Sequence, residues 1–282
     1  MRYWHCGERR FDLSRPLVMG ILNVTPDSFS DGGLFADPGR ALRRGLEMVS
    51  EGAAIVDVGG ESTRPGAEAV PEEEELRRVV PVVEALAARG VAVSVDTSRA
   101  SVMRAALAAG ACILNDVRAF SLPGALEAAR QSAAGLVIMH GWQAAKDDAA
   151  DGLPVTERII RYLKARQRAL EAAGVAGERI CWDPGFGFGK DTAENFALLA
   201  ATAEFAACGQ PLMMALSRKR SLGEVTGVGE ASRRVSASVA GALLAAERGA
   251  DVVRVHDVRE TVQAMAVLQA VRQAGRNKGE NQ

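Results

Sequence analysis

Apolar runs recur along the chain at Leu17 to Asn23, Ile55 to Gly60, Val91 to Asp96, Ile113 to Asp116, Leu136 to His140, Ile180 to Asp183, Leu212 to Ser217 and Val252 to His256. All but the second, which ends on Gly60, close on a polar side chain, and each is followed by a stretch patterned as a helix. A strand buried on both faces reads as an unbroken apolar run, because helices cover it on either side. The polar ends would be costly to bury alone. If the strands are parallel, all of these ends meet at one rim and form one site. The pattern therefore predicts an α/β protein, a single-domain (β/α)8 TIM barrel with its chemistry at the carboxyl ends of the strands.

Residues 1–16 precede the first run and read as a short N-terminal segment, a hairpin over the barrel bottom. The barrel is expected over 17–275, and 276–282, with no apolar anchor, as a frayed tail. In the second helix Glu72 to Glu75 form an acidic first turn after Pro71. They suit the helix dipole and are expected on a solvated face. The last helix opens with Asp257 and Glu260 in capping-box spacing, and Val262, Met265, Leu268 and Val271 give it an apolar stripe. Two loops, Thr25 to Asp37 and Gly60 to Pro71, are too long for mere connections and read as lids or binding loops. A third, Gly141 to Pro154, reads as a mobile connection.

Composition narrows the classes. The chain has 282 residues, 48% of them apolar and 24% charged, enough to bury a full core. A net charge of -1 gives no reason to expect nucleic acid or an acidic membrane as partner. Cys6, Cys112, Cys181 and Cys208 form no Cys-x-x-Cys pair, and His5 beside Cys6 has no second thiol near it in sequence, so no zinc site is expected. No apolar run reaches the roughly 18 residues of a membrane span, and the N-terminus lacks a signal core. A soluble cytoplasmic protein is expected.

The rim residues sort by chemistry into two groups. Asp96, Asn115, Asp183 and Lys219 are acceptors and donors suited to a flat, nitrogen-rich heterocycle, since a carboxylate can accept two parallel N–H bonds. Asn23, Thr63, Arg64, Ser217, Arg254 and His256 suit an anion, and the ends of strands seven and eight are where such barrels most often hold phosphate. Plainer roles exist for single residues. Asp96 and Asn115 can serve as helix caps, Lys219 as a surface lysine, His140 as a satisfied rim histidine, and Phe186 and Phe188 as packing. The stretch Asp183 to Lys190 (DPGFGFGK) is not a Walker loop, because its glycine spacing is wrong and Asp191 follows the lysine.

Taken together these stretches resemble dihydropteroate synthase, a pterin-binding family, from about Pro16 to Gly275. The resemblance is carried by Met19 to Gly33 (MGILNVTPDSFSDGG), Gly59 to Gly66 (GGESTRPG), Ser94 to Thr97, Asn115-Asp116, Asp183 to Lys190, Ser217 to Lys219 and Arg254 to His256. It implies condensation of 6-hydroxymethyl-7,8-dihydropterin pyrophosphate with 4-aminobenzoate, giving 7,8-dihydropteroate and pyrophosphate in folate biosynthesis. It implies pterin contacts from Asp96, Asn115, Asp183 and Lys219. Asn23, Thr63, Arg64, Arg254 and His256 would take the pyrophosphate, with Asn23 also reaching a Mg²⁺ cofactor. Phe29, Pro65, Phe188, Ser217 and Lys219 would line the 4-aminobenzoate site. Asp31 would help stabilise a cationic pterin, and with Arg64 would order the closed loops. Catalysis would then rest on Asp31, Arg64, Lys219, Arg254 and His256. A homodimer built near the C-terminal helices and competition by sulfonamides are implied too.

Two departures stand out: Gly141-Trp142-Gln143 replaces a Met-Gly-x-Pro type segment, and Arg220 follows Lys219 where some relatives have serine. The second leaves open whether Arg220 or the following helix start holds the aminobenzoate carboxylate. Competing readings are a folate-dependent methyltransferase on the same barrel, a Schiff-base aldolase using Lys219, and an inactive barrel acting as a partner subunit. The first gives Arg254 and His256 no anion to bind. The second gives the aspartates no role.

Overall fold

The computed structural model describes residues 2–25, 38–61, 70–149 and 152–279. Strands β1 (Tyr3–Cys6) and β2 (Arg9–Asp12) form an antiparallel hairpin. Strands β3 (Leu17–Asn23), β4 (Ile55–Gly59), β5 (Val93–Asp96), β6 (Ile113–Asp116), β7 (Gly135–Met139), β8 (Ile180–Asp183), β9 (Met213–Met214) and β10 (Val252–Val255) make one parallel sheet. Its order is β8-β7-β6-β5-β4-β3-β10-β9, and a parallel bridge between Trp182 and Leu212 joins the two ends. The expected (β/α)8 barrel is the observed fold.

Alternation along each strand sorts the interior. Val56, Val58, Val93, Val95, Leu114, Leu136, Ile138, Ile180, Trp182 and Val253 belong to the core cluster shared with the surrounding helices. The intervening residues Met19, Ile55, Ile113, Val137, Cys181, Met213 and Val252 form a second cluster with Trp4, Cys6 and Leu13. The hairpin thus plugs the amino-terminal end of the barrel, and Trp4 Nε1 donates to the Arg179 carbonyl at 2.8 Å. Two residues further along the same inward rows stand Asp57, Asn115, Asp183 and Arg254. One pleat repeat therefore separates an apolar floor from a charged upper chamber.

Several expectations need correction. Leu212 to Ser217 is a ladder strand only at Met213–Met214. Pro211 has no N–H to give a neighbour, though its carbonyl accepts from Trp182 N at 2.8 Å. The chain then leaves the strand direction at Arg218, whose φ is +59°. Val91 and Ala92 lie before the start of β5. Helix α2 (Glu72–Ala87) does carry its acidic first turn, but Glu75 is 1% exposed and not solvated. Thr97 Oγ1 donates to it at 2.6 Å and Arg99 Nη1 at 2.7 Å. Those two donors offset the cost of burying the carboxylate.

The stretch after His140 is not merely a connection, since α5 (Trp142–Asp147) folds within it, ahead of α6 (Val155–Ala172). Helix α11 (Val258–Gly279) runs past the expected end at Gly275. Adding a residue to an existing helix is cheap and needs no apolar anchor. Its stripe ends at Leu268, and Val271 is 64% exposed. Asp257 precedes α11 but commits its carboxylate to the Arg218 guanidinium. Among the described residues no helix is long and apolar enough to cross a membrane.

Candidate active site

Asp57, on β4, accepts from Arg254 Nε at 2.6 Å and from Asn115 Nδ2 at 3.1 Å through the same oxygen, Oδ2. Arg254 Nη2 reaches across to Asp96 Oδ2 at 2.7 Å. The guanidinium thus joins β10 to β4 and β5 inside the barrel. Asp57 is fully buried, and its other oxygen, Oδ1, has no hydrogen-bond partner among the described residues. Burial raises Asp96 to about 7, against the pull of Arg254 and with the push of Asp57. Asp96 and Asn115 precede no helix as caps: Arg99 occupies the cap position of α3 (Ala100–Ala108), and Gly124 that of α4 (Ala125–Arg130).

Asp183 ends β8 and is 2% exposed, with Oδ1 accepting from Gly185 N at 2.8 Å. Burial raises its pKa, and the Lys219 ammonium beside it opposes the rise. Lys219 holds the cap position of α9 (Arg220–Thr226), but it is no surface lysine, because the side chain turns inward. Its Nζ donates to the Phe186 carbonyl and lies 4.5 Å from the centroid of the Phe188 ring. Burial lowers Lys219 to about 8 despite Asp183. Gly187, at φ +84°, lets this happen, because a Cβ there would sit 2.7 Å from Lys219 Cδ. Phe186 is fully buried and packs, whereas Phe188 is half-buried beside Lys219.

The anion-suited residues converge only in part. Ser217 Oγ lies 3.0 Å from His256 Nδ1 and accepts from His256 N at 3.2 Å. Asn23 is half-buried at the end of β3. A Cβ at Gly59 would lie 3.8 Å from Asn23 Oδ1 and 3.6 Å from Asp96 Cβ, so the missing side chain keeps that corner open. Arg254 belongs to both groups, since it already bonds two carboxylates of the heterocycle side. Phe29, Asp31, Thr63, Arg64 and Pro65 lie outside the described residues. Arg220 points outward, 77% exposed, toward Glu224.

A chamber of this kind presents three aspartates, one amide and two cations, an acceptor-rich wall for a ligand edge carrying several N–H groups. The model of the family described as "Pterin binding enzyme" matches residues 19–256. Dihydropteroate synthase of Escherichia coli (strain K12) is 49% identical over 270 residues, covering 95% of either chain. The chain belongs to the dihydropteroate synthase family. Dihydropteroate synthase of Xanthomonas albilineans, solved with 4-aminobenzoic acid, matches at a TM-score of 0.90 and 49% identity, over 96% of this chain and 99% of that one. The Burkholderia cenocepacia enzyme complexed with 7,8-dihydropteroate matches at 0.89 and 48% identity, over 98% of each.

Within this dihydropteroate synthase fold the structure adds residues that sequence reasoning passed over. Asp57 sits mid-run in Ile55 to Gly60, whereas the expected site residues stand at run ends or in the loops beyond them. Its signal was there, as a charge at an interior position of an apolar strand. Lys190 was set aside with the failed Walker reading. It is buried, and its Nζ donates to the carbonyls of His140, Gly185 and Phe188 at 3.2, 2.9 and 2.8 Å. It therefore knots the loop below Phe188, and burial lowers it to about 7. Asn195 ties the same loop, accepting from Gly187 N at 2.6 Å and donating to Ser221 Oγ at 3.0 Å. His140 bonds Asp148 Oδ2 through Nε2 at 2.9 Å, in keeping with a rim histidine that has a partner, and burial lowers it to about 4.

Proposed function

We propose that the chain condenses 6-hydroxymethyl-7,8-dihydropterin pyrophosphate with 4-aminobenzoate to form 7,8-dihydropteroate and pyrophosphate in folate biosynthesis. The observation that carries this is one buried chamber in which Arg254 bonds Asp96 and Asp57, Asn115 bonds Asp57, and Lys219 lies beside Asp183, on a chain about half identical to enzymes of that name. The carboxylates accept from the amino and ring N–H groups of the pterin. Lys219 donates to its carbonyl or ring nitrogen.

The carbon–oxygen bond of the pterin methylene breaks, and its electron pair leaves with pyrophosphate. The aniline nitrogen, already neutral at pH 7, supplies the pair for the new carbon–nitrogen bond and then sheds a proton to solvent. Arg254, His256, Asn23, Thr63 and Arg64 meet the charge of the leaving group. Asp31 helps stabilise the cationic pterin between these events, and Arg64 and Asp31 order the closed loops, which keep water out until the amine arrives. Phe29, Pro65, Phe188, Ser217 and Lys219 line the aminobenzoate side.

The donor set fits a magnesium ion brought with the substrate. Mg²⁺ keeps several waters and is usually bound through one or two protein oxygens plus substrate phosphates. Asn23 offers one neutral oxygen at the open corner, and the described residues contain no cluster of three acidic, histidine or cysteine side chains. When bound, the ion would neutralise charge on the pyrophosphate. We also read the chain as a cytoplasmic homodimer, with Leu244 on α10 (Val235–Glu247) and Val267 and Val271 on α11 exposed for pairing.

The test is incubation of the purified protein with dihydropterin pyrophosphate, Mg²⁺ and 4-aminobenzoate, measuring pyrophosphate and dihydropteroate together. Equal release of both, with each substrate required, is the expected result. Pterin binding without product would favour the methyltransferase reading, and no pterin binding would defeat the proposal.

A further inference from the structure

After His140 the chain departs from the Met-Gly-x-Pro type segment and turns at once into α5. A helix of 6 residues cannot hold itself together in water. Here it is held beyond its carboxyl end and along one face. Its Ala144 and Ala145 are buried. A Cβ at Gly189, where φ is +65°, would lie 2.6 Å from Ala145 Cβ and 3.5 Å from the Trp142 ring, so α5 presses directly on the loop that ends at Lys190. Beyond its last residue, Asp148 bonds His140 Nε2 at 2.9 Å and Arg158 Nη1 at 3.1 Å. Arg158 continues to Glu194 at 2.6 Å, inside the capping box of α7 (Thr192–Ala200). These links join α5, α6 and α7 into a fixed platform.

Trp142 stands on that platform 43% exposed, while Trp4 and Trp182 are fully buried. Its ring meets Phe188 edge-on, with centroids 5.8 Å apart at 61°. Phe188 in turn lies under the Lys219 ammonium. Trp142, Phe188 and Lys219 therefore form a line from the outer rim to the donor beside Asp183. An indole held rigidly in partial exposure, at the margin of a polar chamber, offers apolar contact area with little ordering cost to a ligand.

We infer that Trp142 is a specificity-determining residue of the arylamine side, forming with Phe188 an aromatic corner that meets the part of the second substrate, or of its mimics, lying beyond the aniline ring. This rests on the reaction proposed above. For 4-aminobenzoate that part is only a carboxylate, so contact is small. For sulfonamides bearing a heteroaryl substituent it is a second ring, which can pack on Trp142. The departure from the family segment would then tune which arylamines this chain accepts and how tightly it holds sulfonamides.

The experiment measures kcat, both KM values and inhibition constants for a heteroaryl sulfonamide and for unsubstituted sulfanilamide, in the full-length protein and in Trp142→Ala, Trp142→Phe and Trp142→Leu. An aromatic contact of this kind corresponds to about 3- to 10-fold in affinity. We expect Trp142→Ala to weaken the heteroaryl sulfonamide by that factor and sulfanilamide far less. The kcat and the KM for the pterin substrate should stay unchanged, and Trp142→Phe should restore most of the loss. Because Trp4 and Trp182 are buried, tryptophan fluorescence should also respond to heteroaryl sulfonamide in the native chain and lose that response in Trp142→Leu. Equal affinities for both inhibitors across the series, or a fall in kcat with every KM unchanged, would overturn the inference. Absence of dihydropteroate formation by the native chain would instead defeat the underlying reaction.

Discussion

The lower and upper halves of the barrel interior use the same strands and the same inward rows, yet they obey opposite rules. Below, Met19, Ile55, Ile113, Val137, Cys181, Met213 and Val252 pack against Trp4 and Cys6. Above, Asp57, Asn115, Asp183 and Arg254 occupy the next inward positions of four of those rows. The floor gains stability from every buried ring and methyl. The chamber bears the cost of holding charges away from water and returns it as prepared hydrogen-bonding groups. A barrel can maintain such a chamber because its outer shell and its plugged floor supply the stability.

That contrast makes a first prediction with the largest effect. Trp4→Ala should lower unfolding free energy by about 3–5 kcal/mol, read by urea denaturation, while leaving kcat/KM unchanged where the protein stays folded. A parallel loss of kcat/KM would show that floor and chamber are not separable. Conversely, Asp183→Asn should weaken pterin binding by roughly 2–4 kcal/mol by calorimetry. Native affinity in that variant would remove Asp183 from the pocket.

A smaller effect probes the contact that defines the chamber. Asp57→Asn keeps the shape but removes the charge facing Arg254 Nε, and should lower kcat/KM by about 1.5–3 kcal/mol, the worth of a hydrogen bond to a charged group. If kcat/KM holds and only stability moves, Asp57 is structural, and the upper half resembles the lower more than we argue. The gentlest perturbation is pH. Burial brings Lys219 down from 10.5 to about 8, so its protonated, donating form is lost as pH rises through that value. A falling limb of kcat/KM near pH 8 is expected, and Lys219→Arg should abolish that limb because its guanidinium stays charged. A limb unmoved by this change would assign it to another group.

Legibility followed the same division. The strands were readable because double burial imposes an apolar run; three of the eight coincide with the observed strands and four differ from them by a residue or two at the ends. The eighth, β9, keeps ladder pairing only at Met213–Met214, in a run bounded by Pro211 before it and the left-handed Arg218 after it. Among site residues, those at run ends were found and Asp57, inside a run, was not. Lys190 was missed for a different reason. Its role is to donate to three backbone carbonyls, and carbonyls carry no residue-type signal. Glu75 was misplaced because an acidic first turn looks the same in sequence whether or not an arginine folds over it.

The sequence by itself determined the barrel, the family, and which end of each strand carries chemistry, since strand period, glycine and proline placement and motif order are all local properties. Tertiary structure alone decided the partnerships. Arg254 meets Asp57 across 197 residues of chain and Asp96 across 158. His140 finds Asp148 only because α5 folds between them. The parallel ladders from β10 through β3 and β4 to β5 set the register that brings Arg254 within 3 Å of both carboxylates, and no window along the chain encodes that register.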